Sequence, residues 1–328
     1  MPILVLNGDD VQRCLDPLKL VDAMDSAFRQ VSQQRAQMPV RLTLPIASAP
    51  GIHVVMPAYL PDSDALATKI VTAFPANPAK GLPLILGVVV LNDARTGAPL
   101  ALIDGAMITG LRTAAASALS VRTLARPDAG ILTIVGTGLQ AGTHLEAIAA
   151  VRDLTEVRVV GRSLESARAF AKRFQATIET PIHAIRTVEE AVRGADLVVL
   201  VTTAAEPIVQ FEWFMRGAHL CAVGSHAPAK REVDSATIAK ADLVTVDTRS
   251  GALAEAGDLQ VPIAEGAISP DRIVELGEVL LGTRPGRRTA SDLTVYKSVG
   301  MAAMDAAAAR LAYDVAIAQD IGAKVAFG

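Results

Sequence analysis

Ile131–Val135 (ILTIV) runs directly into Gly136-Thr137-Gly138-Leu139-Gln140-Ala141. A short apolar run of this kind reads as a strand buried on both faces. The G-x-G-x-x-A after it opens a helical stretch, Gln140–Val151. In that setting Gly136 permits a tight turn and Gly138 lets the backbone approach a pyrophosphate. Ala141 allows close helix–strand packing. The helix N-terminus complements phosphate charge, so the segment reads as a dinucleotide loop. The next strand, Val157–Val160, ends in Gly161-Arg162-Ser163. A site selecting NAD usually carries an acid there, accepting from the ribose 2′-hydroxyl. Arg162 instead offers a guanidinium fork to a 2′-phosphate, and Ser163 adds a hydroxyl donor. NADPH is therefore expected ahead of NADH.

His226 stands in Gly224-Ser225-His226-Ala227-Pro228, just after a predicted strand, His219–Val223. An imidazole titrates near neutrality and can donate or relay a proton. A loop histidine that only touches cofactor or solvent fits the pattern equally. His53, His144, His183 and His219 lack metal-ligand spacing, and Cys14 and Cys221 lie far apart without a CxxC. No metal site and no disulfide framework are expected.

These residues need elements to position them. Leu164–Phe174, with Ser163 as candidate N-cap, and Val188–Arg193 read as helices. Leu197–Thr202, His219–Val223 and Leu243–Val246 read as strands. Alternating strands and helices imply right-handed βαβ units in a doubly wound parallel sheet. The first ~115 residues differ. Pro17–Gln33 has the spacing of an amphipathic helix. Short runs between Pro and Gly follow: Val40–Pro45, Ile52–Met56, Ala67–Thr72, Leu84–Leu91 and Leu100–Ile103. They predict an antiparallel sheet joined by turns. Met107–Leu124 reads as a helix entering the nucleotide domain, and Ser298–Gln319 as a long Ala-rich helix returning to the first domain. The predicted fold class is α/β: a Rossmann-type sheet, residues 119–296, inserted in a discontinuous α+β domain of residues 1–118 plus 297–328.

At 328 residues, two domains are expected, and 51% apolar content supplies a sizeable core. Aromatics at 3% argue against stacking platforms for single-stranded nucleic acid. With 31 basic against 34 acidic residues there is no basic stripe, so neither nucleic acid nor an anionic membrane is an expected partner. The start shows no secretory signal, and every apolar stretch is broken well short of about 18 residues. A soluble cytoplasmic protein is the expectation.

Further segments extend the pattern: Met56-Pro57-Ala58-Tyr59, Thr68-Lys69-Ile70-Val71, Leu111-Arg112-Thr113-Ala114-Ala115 and Val223–Pro228. Glu255-Ala256-Gly257-Asp258, Glu275-Leu276-Gly277-Glu278 and Lys297-Ser298-Val299-Gly300-Met301 complete it. With the Gly136–Ala141 loop they span nearly the whole chain, which thereby resembles the ornithine cyclodeaminase and mu-crystallin family. The resemblance implies a Rossmann domain within a split domain, a homodimer built through the N-terminal sheets, and a site in the cleft between domains. It implies that Arg41, Lys69 and Arg112 converge on a substrate carboxylate, with Lys69, Arg112 and His226 as catalytic candidates. Met56, Val299 and Gly300 join the substrate side. Arg112, Thr137, Leu139, Gln140, Thr202, Val223, Gly224, Ser225, His226 and Ser298 join the glycines, Arg162 and Ser163 on the cofactor side. Lys69, flanked by apolar residues, should lose part of its basicity to desolvation and be able to donate a proton. Asp258 and Glu278 lie in family segments but suit helix caps or packing as well.

Two departures from ornithine cyclodeaminases stand out. Their catalytic acid is replaced by His226, and the glutamate that binds the ornithine amine by Val54. The pattern is closer to mu-crystallin. It implies NADPH-dependent reduction of cyclic ketimine carboxylates, pyrroline-2-carboxylate or piperideine-2-carboxylate, to proline or pipecolate. Alanine or N-alkyl amino-acid dehydrogenation, ornithine cyclodeamination and NADPH-dependent small-ligand binding are the alternatives.

Overall fold

The computed structural model describes residues 2–326. In chain order the strands are β1 (Pro2–Leu6), β2 (Leu42–Ile46), β3 (Gly51–Leu60), β4 (Ala65–Ala73), β5 (Ile85–Asn92) and β6 (Pro99–Asp104). Then come β7 (Ile131–Val135), β8 (Glu156–Val160), β9 (Ile182–Ala184), β10 (Leu197–Leu200) and β11 (His219–Ala222). The last four are β12 (Leu243–Val246), β13 (Ile273–Glu275), β14 (Thr294–Lys297) and β15 (Ala323–Ala326). Five helices matter below: α1 (Gly8–Cys14), α2 (Pro17–Ser32), α3 (Gly105–Leu124), α4 (Leu139–Ala149) and α5 (Leu164–Phe174). A sixth, the C-terminal helix, is Ala302–Gln319.

Two compact units emerge, residues 2–112 with 301–326, and residues 113–300. The sequence places the seams at 118/119 and 296/297; the units part at 112/113 and 300/301. Local packing accounts for the shift. The start of α3 belongs to the first unit because a Cβ at Gly105 would lie 2.6 Å from the Gly87 carbonyl carbon. Residues 298–300 stay with the second unit because the Asp247 carboxylate accepts from the Ser298 hydroxyl and the amides of Val299 and Gly300.

The first unit carries a seven-stranded sheet ordered β15-β1-β6-β5-β4-β3-β2. All neighbours are antiparallel except β1 and β6. Pleating alternates side chains between faces. The register sets Met56, Lys69 and Val89 in one row across β3, β4 and β5. All three are buried on the face that the C-terminal helix covers. That helix can lie close because it presents buried alanines, among them Ala303, Ala306, Ala309 and Ala312. The opposite face is apolar yet open. Leu42 and Leu44 are 66% and 55% exposed, and Leu86 and Leu102 are exposed as well.

The second unit is an eight-stranded parallel sheet ordered β13-β12-β14-β11-β10-β7-β8-β9. β14, which the sequence reading lacks, lies between β11 and β12. The chain runs from β7 through β8 to one side and through β10 to the other, so a topological switch point falls between β7 and β10. Ser163 caps α5, its hydroxyl accepting from the Ser166 amide at 3.1 Å. The C-terminal helix begins at Ala302 rather than Ser298. Gly300, with φ +75°, and the Asp247 contacts hold 298–300 out of helical conformation. Among the described residues no helix is long and apolar enough to cross a membrane.

Candidate active site

Three charged side chains meet in the first unit. Lys69 comes from β4, Arg112 from α3 and Asp305 from the C-terminal helix; they are 3%, 5% and 1% exposed. Lys69 Nζ lies 2.8 Å from each carboxylate oxygen of Asp305. Arg112 Nε donates to Asp305 Oδ1 at 3.0 Å. Lys69 also reaches Thr109 Oγ1 at 3.4 Å, and Arg112 Nη1 contacts Met304 Sδ at 3.7 Å. Two cations against one carboxylate leave a net positive charge out of water. Such a charge is costly unless an anion neutralises it. Arg41, half-buried just ahead of β2, lies near enough to act on Lys69 electrostatically.

Burial pushes the Lys69 ammonium down to about 8, with Arg112 and Arg41 acting in the same direction and Asp305 opposing them. A lysine so placed is charged at neutral pH yet gives up its proton far more readily than one in water. Met56 faces the same side in the neighbouring strand, and Val54, two residues earlier, is buried there too. They supply an apolar wall beside the charges. The sequence reading missed Asp305. One signal was present: it is the only charged residue between Lys297 and Arg310, inside a run of alanines.

The dinucleotide loop lies in the second unit. Gly136 has φ +131°, and a Cβ there would sit 2.8 Å from the Val201 carbonyl oxygen. Its amide donates to Val160 O at 2.8 Å, tying the loop to the end of β8. Gly138 is the N-cap of α4, and no side chain caps that helix end. A Cβ at Gly138 would meet nothing within 4 Å. Uncapped amides facing open space, with glycine keeping the approach clear, fit a pyrophosphate. Thr137 is half-buried, Leu139 is exposed, and Gln140 lies in the first turn of α4. Arg162 and Ser163 are both exposed just past β8, next to the loop strand β7. Ser163 accepts from Ser166, which leaves its hydroxyl proton to donate.

Thr202, Val223, Gly224 and Ser225 follow the carboxyl ends of β10 and β11. In open α/β sheets, ligands bind at those ends. His226 is exposed on the loop after β11, its Nδ1 3.3 Å from Gly224 O. Ser298, Val299 and Gly300 give donors to Asp247. The structure thus gathers Lys69 and Arg112 around Asp305, and the glycine loop beside Arg162 and Ser163. It places His226, Val299 and Gly300 in the second unit and Met56 beside Lys69 in the first.

Residues 3–320 match the family model "Ornithine cyclodeaminase/mu-crystallin family". A Delta(1)-pyrroline-2-carboxylate reductase of Bacillus cereus is 38% identical over 99% of this chain and 100% of its own length. The ketimine reductase mu-crystallin of Mus musculus is 41% identical over 94% of this chain and 96% of its own. Among solved structures, the Thermococcus litoralis Delta(1)-pyrroline-2-carboxylate reductase in complex with NADH and L-proline superposes with a TM-score of 0.94. It is 36% identical, covering 98% of this chain and 100% of that one. With the match running almost from end to end, and the split first unit and inserted parallel sheet both in place, the chain belongs to the ornithine cyclodeaminase/mu-crystallin family.

Proposed function

We propose that this protein reduces cyclic ketimine carboxylates, pyrroline-2-carboxylate and piperideine-2-carboxylate, to proline and pipecolate. The buried Lys69–Arg112–Asp305 cluster carries the reading, because its surplus positive charge calls for a small anion. Arg112 binds the substrate carboxylate with Arg41 in support, and the apolar Val54 and Met56 accept ring methylenes. Lys69, poised at about 8, gives its proton to the imine nitrogen and so makes the carbon electrophilic. A reduced nicotinamide dinucleotide supplies the hydride when bound. The chain's own contribution is orientation and one proton.

Arg162 and Ser163 make NADPH the preferred donor over NADH. Steady-state rates with both imines and both dinucleotides, read by cofactor absorbance, test the assignment. Oxidation of reduced cofactor with pyruvate plus ammonium but with neither imine would replace it by an amino-acid dehydrogenase. Arg162→Ala is expected to lower kcat/KM for NADPH roughly tenfold or more, since hydrogen bonds to a charged group contribute about 1.5–3 kcal/mol. NADH kinetics should change little; equal loss with both would remove the 2′-phosphate role.

The open apolar face of the first unit's sheet supports a homodimer formed through it. Several exposed leucines gathered on one sheet face suit an interaction site. Leu44→Glu combined with Leu86→Glu should halve the mass seen by sedimentation equilibrium. An unchanged mass would point to a different surface.

A further inference from the structure

Glu232 lies in the segment between β11 and the helix Ser235–Lys240, fully buried, and its carboxylate joins two loops. Oε1 accepts from the Thr202 amide at 2.8 Å and the Thr202 hydroxyl at 2.7 Å. Oε2 accepts from the amides of Gly224 at 2.7 Å and Ser225 at 3.3 Å. Three of the four partners are backbone N–H groups, which can only donate, so the geometry suits the ionised form. The loops it joins are those leaving β10 and β11.

Glu232 is itself held. Asp258 Oδ1 accepts from the amides of Glu232 and Val233 at 2.7 and 2.9 Å. Lys297, fully buried, lies 2.8 Å from Asp258 Oδ2 and donates to the Ser225 carbonyl. There is no slack between the loops: a Cβ at Gly224 would fall 2.1 Å from Thr202 O. Burial raises the Glu232 carboxyl above its ordinary range while Lys297 and the Thr202 contacts oppose that shift.

In a trans peptide the amide of one residue and the carbonyl of the residue before point in opposite directions. Drawing the amides of 202, 224 and 225 inward therefore turns the carbonyls of Val201, Val223 and Gly224 away from Glu232. We propose that Glu232 is a positioning residue: it sets the carbonyls of Val201 and Val223 as acceptors for the two N–H bonds of the carboxamide amine of a bound dinucleotide's nicotinamide, the Gly224 carbonyl already lying 3.3 Å from His226 Nδ1. The proposal rests on the dinucleotide reading above and goes beyond it by naming the buried group that prepares the nicotinamide end. Asp258 and Lys297 serve to hold Glu232 and Ser225 in place.

Glu232→Gln tests it, because the amide nitrogen sets a donor against the donors it must meet. Affinities are measured by fluorescence titration for the dinucleotide that the wild type binds more tightly, NADPH or NADH. The matching ADP-ribose fragment, which lacks the nicotinamide, is measured in parallel by competition. The variant should bind the dinucleotide at least tenfold more weakly and the fragment within twofold of wild type. Equal weakening of both would assign Glu232 to general stability, and weakening of neither would remove its role; each overturns the proposal. Should Glu232→Gln fail to fold, Glu232→Asp, too short to span both loops, is read in the same way. A wild-type protein that binds neither dinucleotide overturns the functional reading along with this one.

Discussion

Arg112→Ala is expected to lower kcat/KM for pyrroline-2-carboxylate by about two to three orders of magnitude. Truncating one partner of a buried, hydrogen-bonded charge pair costs about 2–5 kcal/mol, and each 1.4 kcal/mol is tenfold. Arg112 is 5% exposed, so water cannot take over its role. Its Nε is committed to Asp305 and Nη1 to Met304. The Met304 thioether is a weak acceptor, so the Nη end of the guanidinium can turn to a carboxylate. KM should absorb much of the loss, because the carboxylate is bound before and during the reaction alike. Arg112→Lys should recover only part, since an ammonium cannot hold Asp305 from one edge and reach the substrate from another as the planar guanidinium does. Near-wild-type reduction by Arg112→Ala would show that the substrate's acid group is held elsewhere.

Asp305→Asn is the second large effect, and it acts on two observables. The neutral amide leaves Lys69 and Arg112 buried without their shared counter-charge. Breaking a buried pair in this way costs about 3–5 kcal/mol of stability. Chemical denaturation followed by circular dichroism measures it. The other observable is pH. Lys69 is ionised below about 8 in the folded protein, so activity that needs its proton falls as pH rises through that value. Asp305 raises Lys69 by attraction and by hydrogen bonding, and its loss shifts Lys69 further down. The alkaline limb of kcat/KM should therefore move to lower pH. The linked effect on wild-type stability has a definite sign. The folded value, about 8, lies below the ordinary 10.5, so between them the unfolded chain binds more protons. The contribution of Lys69 to stability thus improves as pH rises through that window. An alkaline limb that stays in place in Asp305→Asn would separate Lys69 from the proton transfer.

Some of this was legible in the sequence because it is local. The glycine loop, the strand before it and the helix after it occupy under twenty consecutive residues, and turn chemistry plus periodicity define them. α5 matches its predicted bounds because Ser163 is a strong N-cap. Long-range features were not legible. Asp305 meets Lys69 across 236 residues and Arg112 across 193, and no spacing rule links them. β14 is four residues after a polar loop, and it becomes a strand only because β11 and β12 pair with its two edges. The late start of the C-terminal helix follows from Asp247, about fifty residues upstream, taking the donors of 298–300. Lys69 and Arg112 stood out through family resemblance; alone, each looks like an ordinary surface cation.

Because the first unit needs residues 301–326, its completion is bound to the order of synthesis. The β2–β6 strands and α3 leave the ribosome early, so Lys69 and Arg112 are made well before the Asp305 that balances them. Residues 113–300 must then be translated, on the order of 10–40 s at about 5–20 residues per second. The inserted unit is contiguous and can fold during that interval, while the sheet waits with one layer uncovered. A nascent chain stalled before residue 301 should accordingly protect residues 113–300 from protease and leave the strands ahead of them cleavable.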